Sequence, residues 1–450
     1  EDPRPDVWLV TVDTLRADRL GFAGDPHATT PHLDRLAREG AVFEDAHTPI
    51  PRTTQALASL FTSRHPRDHG VMRLGDRLPD AALPLAERLR DSGYWTAGVS
   101  ANGVAGRDQG LDRGFRVFTG SAELKERYPL KRRGLHGRTP RMGTAEATTR
   151  EALRLLGESP PGVPRMLWVH YMDPHFMYDP PAPYNQAVDW SRFTFYRDRA
   201  RHKPVQASTF YDHHGLSSRF LDELKTLYDA EITYTDLWIG RLLEAVDRDT
   251  LVVFTADHGE SLGEHGYYFE HGDFVYQASL AVPLVWWWPG RIAAGARFAR
   301  PVSSLDVVPT LLGLLDLPAG DADGFAGVDL SRALESGAED AGSERSHFGQ
   351  SGDALLEGNP LRARGSERWT TLRRGRWKLI RIPQAGGARF ELYDLASDPA
   401  ETDDRAAAEP ARLQAMARAL DRWREPGPGE ASTPRSSDVE AELRALGYVE

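Results

Sequence analysis

The stretch "TLVVFTADHGE", residues 250–260, decides the fold. Apolar and β-branched side chains follow one another without helical spacing, and the run stops in Asp257-His258-Gly259. A short continuous run of this kind reads as a strand buried on both faces, as in the middle of a parallel sheet. "VWLVTVD" (7–13), "YWTAGVSAN" (94–102) and "RMLWVHYMD" (165–173) have the same character. Between them lie segments with helical periodicity: "TPHLDRLAREG" (30–40), "LPLAERLRDSG" (83–93), "ATTREALRLLGE" (147–158) and "LDELKTLYDAEITYTDLWIGRLLEAV" (221–246). "VSSLDVVPTLLGLL" (302–315) is a loop entering a further helix. The alternation predicts an α/β fold, a large doubly wound, mostly parallel sheet sandwiched by helices.

"PAGDADGFAG" (318–327) breaks the alternation. Beyond it, "RWTTLRRGRWKLIRI" (368–382) and "RFELYDL" (389–395) read as antiparallel strands joined by turns. A helix follows at "ARLQAMARALDRWR" (411–424), then a Pro/Gly/Ser linker at 425–438. The expected division is a catalytic domain over 1–330 and a smaller C-terminal α+β domain over 331–450, built on an antiparallel sheet with a terminal helix and tail.

The 450 residues carry 40% apolar and 27% charged side chains, the balance of an ordinary globular chain. A net charge of −11 argues against a general nucleic-acid binder. One segment, 124–141, is locally basic and reads either as a solvated loop or as a flap near an anionic substrate. No apolar run reaches the roughly 18 residues of a membrane span; "LAVPLVWWW" (280–288) is short and ends in Pro-Gly. With no cysteine there is neither a disulfide frame nor a thiolate site. The chain begins at Glu1 rather than Met, so removal of an N-terminal targeting or anchor piece is an expectation. Oligomeric state is not legible.

In open parallel sheets, sites form beyond the carboxyl ends of the strands. Here those ends carry Asp13, His170 (with Asp173 and His175 close behind) and Asp257-His258, with His265 and His271 following, each before a glycine. A lone carboxylate there is more often a helix cap. Two ligand types on one sharp turn, followed by two more histidines, point to metal or proton-transfer chemistry. Mixed oxygen and imidazole donors suit Zn or Mn, as one ion or two, better than Ca. "HTPIPRTTQALASLFTSRHP" (47–66) turns sharply into a helix behind Thr53-Thr54, so the pair is either an N-cap or contains a nucleophile.

"VDTLRADRLGFAG" (12–24), "WVHYMDPHFMYDPP" (168–181), "TADHGESLGEHG" (255–266), "HGDFVYQASLAVPLVWWWPG" (271–290), "SLDVVPTLLGLL" (304–315) and the late "GRWKLIRI" and "FELYDLASDPAET" together resemble the sulfatase family of the alkaline phosphatase superfamily, in order and spacing over nearly the whole chain. In that family the nucleophile opens a helix in a Cys-x-Pro-x-Arg motif, and the Cys or Ser becomes formylglycine. The resemblance puts Thr53 in the nucleophile slot, Gln55 at the Pro and Leu57 at the Arg. Threonine cannot supply the aldehyde, so the chain resembles the threonine-nucleophile, phosphatase- and phosphodiesterase-like branch. The family's metal positions correspond to Asp13, Thr14, Thr53, Asp257 and His258. His170, His175 and His271 fall where oxyanion donors, a leaving-group acid or a second-metal ligand are expected; Asn102, His265 and Arg16 are substrate-contact candidates, with a turn for Asn102 and a pairing with Asp18 for Arg16 as the plain readings.

The function the resemblance implies is metal-dependent hydrolysis of phosphate or phosphonate mono- or diesters through a phosphothreonine at Thr53, on a small anionic ester. The alternatives are a sulfuric ester hydrolase, a phospho-head-group transferase and a non-catalytic anion binder. Several members of the family are exported, so a periplasmic or secreted location is favoured over the cytoplasm. Specificity is expected from the loops 105–145 and 180–218.

Overall fold

A computed structural model describes residues 4–129, 145–176, 178–184, 218–247, 249–319, 324–339, 344–352 and 368–424. Met177, most of the basic segment, most of the 180–218 loop and the 425–438 linker lie outside the described residues.

The strands are β1 (Asp6–Val12), β2 (Ala41–His47), β3 (Trp95–Ser100), β4 (Val117–Thr119), β5 (Arg165–Tyr171), β6 (Thr250–Ala256), β7 (Ser261–Leu262), β8 (Tyr268–Glu270), β9 (Ala281–Trp287), β10 (Arg297–Phe298), β11 (Val302–Ser303), β12 (Ser346–Gln350), β13 (Thr370–Arg374), β14 (Trp377–Gln384) and β15 (Gly387–Asp394). The large sheet has nine strands in the order β10-β2-β9-β6-β1-β5-β3-β4, with β11 also on β2. Among its described strands β9 alone runs against the rest. β1 and β6 are buried along their whole length, as their unbroken apolar runs require. Helices Pro31–Glu39 and Ala145–Leu156 pack on the long helix Ser218–Leu243, while Thr53–Thr62 packs with Leu85–Asp91 and Val307–Leu314. Among the described residues no helix is long and apolar enough to cross a membrane.

Register levels the strand ends. Val12 pairs with both Tyr171 and Ala256, and Ser100 pairs with His170. The residues just past β1 and β6 are therefore neighbours, with His170 beside them.

The second sheet is antiparallel, β12-β13-β14-β15, and separate from the first. β14 and β15 meet across a two-residue turn, with Gln384 opposite Gly387 and Gly386 at φ +83°, a conformation that favours glycine. Helix Pro410–Arg424 covers one face, through Met416, Ala419 and Leu420 on Leu372, Leu379 and Leu392. The other face joins the large unit across a partly polar seam. Tyr276 donates to Glu391 at 2.8 Å, the buried Lys378 donates to Gln277 Oε1 at 3.0 Å while Gln277 N–H donates to Glu401 at 2.6 Å, and Arg345 meets Asp306. His47 and His347 meet edge to face at 4.6 Å.

Burial holds three histidines near this seam neutral: it lowers His65 to about 4, His69 to about 3 and His347 to about 3, with nearby positive charges adding to the effect. Each binds its proton in the unfolded chain at an ordinary value near 6.5 and later in the folded one. Their contribution is complete above pH 6.5 and is lost as the pH falls toward 4, at about 1.4 kcal/mol per pH unit for each. Thermal melts at steps between pH 7 and 5 are expected to show Tm falling steadily; a flat profile would remove the histidines as the cause.

Candidate active site

The site is built on the levelled strand ends. Asp13 follows β1, Asp257 and His258 follow β6, and His170 is the penultimate residue of β5. All four are buried. Asp13, His170 and Asp257 each present one ligand atom, and these atoms lie within 4.8 Å of one another. His258 Nε2 is 3.3 Å from Asp257 Oδ2 and 3.9 Å from Asp13 Oδ1. His170 Nε2 is 3.6 Å from Asp13 Oδ2.

Asp13 Oδ1, Asp257 Oδ2, His170 Nε2 and Thr14 Oγ1 are buried with no hydrogen-bond partner among the described residues. Buried polar atoms are almost always paired, so the three orphans on Asp13, Asp257 and His170, all at one point, call for a missing partner. The donor set is two carboxylates, imidazoles and hydroxyls, which fits a divalent cation of the Zn or Mn kind.

The imidazoles are set for that role. His258 Nδ1 lies 3.0 Å from the Gly259 carbonyl, which can only accept, so the ring proton sits on Nδ1 and the Nε2 lone pair faces the carboxylates. Thr11 Oγ1 receives the Trp168 indole N–H at 3.0 Å and lies 2.9 Å from His170 Nδ1, fixing that ring as well. Burial opposes charge on Asp13, but His170 and the nearby His175 and His258 outweigh it and hold the carboxyl at about 2. Asp257 goes the other way: burial, then the charge of Asp13, push it well up. Two carboxyl groups buried this close cannot both stay ionised unless a cation joins them; without one, Asp257 is the group that keeps its proton.

Thr53 opens the helix Thr53–Thr62, all of it buried. Arg52, not Thr53, is the N-cap, and its side chain makes no capping bond. Thr53 Oγ1 instead sits 3.3 Å from His258 Nε2. Thr54 is committed elsewhere: its hydroxyl donates to Val104 O at 2.7 Å and accepts from Gly75 N at 3.0 Å. The two threonines that the sequence left side by side are thus separated in role. Gln55 reaches toward Met72 O at 3.4 Å, and Leu57 is core.

Thr14 has φ +55°, a left-handed conformation that is rare for a β-branched residue and costs on the order of 1–3 kcal/mol. Its N–H binds Asp257 Oδ1 at 3.2 Å, as does His258 N–H at 2.8 Å, which leaves Oδ2 to the cluster. Asn102 donates to Asp13 Oδ2 and accepts from Val104 N at 2.8 Å, so it serves the site and its own turn at once.

Beside the cluster stand the other histidines. The His271 ring centroid is 4.3 Å from that of His258 and 5.2 Å from that of His175. His271 Nδ1 lies 3.4 Å from Glu260 Oε1, and Tyr178 donates to the other oxygen of Glu260. Burial, then the charges of His258, His175 and Arg52, lower His271 well below its ordinary value.

Two candidates stand apart. His265 is exposed and stacks on Tyr276 with centroids 3.5 Å apart, facing the small sheet; the Gly263 and Gly266 turn, with φ +118° and +73°, carries it away. Arg16 is held by Asp18 at 2.7 Å and Glu264 at 2.7 Å, so the pairing with Asp18 is present.

Arg52 was not singled out by the sequence. It is buried, with Nη2 3.2 Å from Asp273 and Nη1 3.9 Å from Glu270. A Cβ on Gly272 would lie 2.0 Å from its Nε, and one on Gly352 2.3 Å from its Cγ. The two glycines make the slot for this side chain, a pairing across more than 200 residues that no local pattern signals.

Fold and site together define an α/β protein with a place for a divalent metal at the carboxyl ends of its central strands. The sulfatase family model matches residues 5–317, and the chain belongs to the sulfatase family. It is 28% identical over 357 residues to an ulvan-active sulfatase of Formosa agariphila, covering 74% of this chain and 66% of that protein, just under two thirds of its length. It is 31% identical over 358 residues to human arylsulfatase A, covering 73% of this chain and 68% of the relative. The structure is similar to the phosphonate monoester hydrolase of Agrobacterium radiobacter, with a TM-score of 0.73, 25% identity, and coverage of 94% of this chain and 95% of that one.

Proposed function

We propose that this sulfatase-family hydrolase cleaves phosphate or phosphonate esters with Thr53 as the nucleophile. One observation carries the reading: the residue at the head of the buried helix is a threonine, and its hydroxyl lies 3.3 Å from His258 Nε2, beside Asp13 and Asp257. A threonine offers a hydroxyl and no route to an aldehyde. Asp13, Asp257, His258 and Thr53 would hold the metal, with His170 and Thr14 as further candidate donors. When bound, the metal supplies a Lewis acid that lowers the pKa of the hydroxyl and neutralises charge on the reacting centre.

The chain's own residues then have distinct tasks. Thr53 Oγ1, its proton given up to solvent, forms the bond to phosphorus as the bond to the leaving oxygen breaks. That oxygen departs with the bonding pair and takes a proton from His175, beside which the neutral His271 ring stands. Amide N–H groups at the head of the helix favour the negative charge of the phosphothreonine. Arg52, bound to Asp273 and Glu270, stands near His258 and His271 and helps to keep both rings neutral. Water then attacks phosphorus, the Oγ1–P bond breaks, and the Thr53 hydroxyl returns. His170 is assigned to the metal rather than to the oxyanion, because its Nε2 faces Asp13.

The relatives named as sulfatases support a second reading, hydrolysis of sulfate esters. Matched aryl phosphate, phosphonate and sulfate esters separate the two. With metal present, the phosphorus esters are expected to turn over at least about tenfold faster, about 1.4 kcal/mol in barrier. Faster sulfate turnover would overturn the reading and leave the family assignment intact. The exported location and a division into two domains near residue 330 are retained as parts of the same proposal.

A further inference from the structure

We propose that Tyr228 is a positioning residue for the metal centre, acting through the strained backbone of Thr14; the inference rests on the metal reading above. Tyr228 comes from the long helix Ser218–Leu243, more than 200 residues from Thr14 along the chain, and is wholly buried. Its hydroxyl donates to Thr14 O at 2.7 Å and accepts from Arg16 N at 3.0 Å. One phenol oxygen thus closes both sides of the turn that follows β1.

That turn needs closing. Thr14 stands at φ +55°, where a β-branched side chain relaxes toward ordinary conformations unless its surroundings hold it. Rotation of the Thr14 backbone would swing its N–H away from Asp257 Oδ1, now 3.2 Å distant. It would also shift Asp13, the preceding residue, whose own N–H is fixed to Tyr171 O at 2.9 Å. The bond from Thr14 N–H, with that from His258 N–H, presents Asp257 Oδ2 rather than Oδ1 to the cluster. Tyr228 thereby sets the aim of both carboxylates without touching either.

The ring of Tyr228 is itself wedged. It lies edge to face with Tyr178, centroids 5.4 Å apart. The phenol oxygen is therefore placed by packing, and the two hydrogen bonds follow from that placement. Removing the oxygen while keeping the ring is a clean perturbation.

The test is a titration of Zn2+ and of Mn2+ into metal-free protein against a chromophoric chelator. It reads affinity, not activity, and is scored against wild type. Tyr228→Phe is expected to weaken both ions by about 10- to 100-fold, the range for outer-shell partners of a metal site. Thr14→Gly removes the strain, since glycine adopts this φ freely. In the Thr14→Gly background the same Tyr228→Phe change is therefore expected to cost less than about a third of its effect in wild type, because a relaxed turn no longer needs the hydroxyl. An unchanged affinity in a folded Tyr228→Phe protein would overturn the proposal, as would an equal loss in both backgrounds. A Tyr228→Phe protein that does not fold in chelator would make the tyrosine a structural residue and overturn it too. If wild type itself binds neither ion, it is the metal reading that fails, a result seen before any variant is compared.

Discussion

Thr53→Ala is expected to reduce turnover of phosphorus esters by about 10^4-fold or more, the scale of losing a covalent nucleophile together with the metal contact proposed for it. Thr53→Ser keeps the hydroxyl on the same Cβ and should retain a measurable part of the activity. Neither change should unsettle the helix, whose N-cap is Arg52 and whose burial does not depend on the Thr53 oxygen. Thr54→Ala offers the contrast. It removes bonds to Val104 O and Gly75 N and so lowers Tm, while Thr53 remains available. Steady-state kinetics of the three variants, with Tm alongside, check the assignment. Near-wild-type turnover by Thr53→Ala would put the nucleophile elsewhere.

Asp257→Asn should separate stability from function in opposite directions. In metal-free protein Asp13 and Asp257 are two buried carboxyl groups facing each other, a costly arrangement that one amide relieves. The metal-free variant is therefore expected to melt no lower than metal-free wild type. The metal-loaded comparison reverses, because a ligand that would hold the ion is weakened. Affinity for Zn2+ or Mn2+ should fall by more than about 100-fold, beyond the range of outer-shell partners, with turnover falling in step. Calorimetric melts with and without metal, plus metal content after gel filtration, decide it. If the metal-free variant were destabilised by several kcal/mol, Asp257 would be a structural hydrogen-bond acceptor for Thr14 and His258 first and a ligand second.

The central strands were legible because burial on both faces leaves unbroken apolar runs, as in β1 and β6. Other strands were not. β2 carries Glu44 and Asp45 in its middle, where the strand is exposed and half-buried, and β9 contains Pro283. β10 and β11 are two residues each, too short for any periodicity to register. The late hairpin was legible because turn glycines separate alternating strands, as at Gly375 and Gly386. The site divided along the same line. Asp13, Asp257 and His258 end apolar runs and announce themselves. Arg52 and Tyr228 sit in a buried loop and a long amphipathic helix, where each resembles ordinary packing.

By itself the sequence determined the family, the alternating α/β order, the antiparallel C-terminal strands, and the presence of a threonine where an aldehyde precursor is otherwise expected. These are local properties, fixed by residue type and by spacing over a few turns of chain. Only the tertiary structure decided which of Thr53 and Thr54 faces the cluster, because that depends on where Val104, Gly75 and His258 arrive from distant segments. It also turned His265 onto Tyr276, grouped His170 with the carboxylates, and brought Tyr228 across more than 200 residues to the strained Thr14. Sheet register sets these meetings, since it levels the ends of β1, β5 and β6, and register between remote strands is fixed by the packing of the whole core rather than by any one stretch.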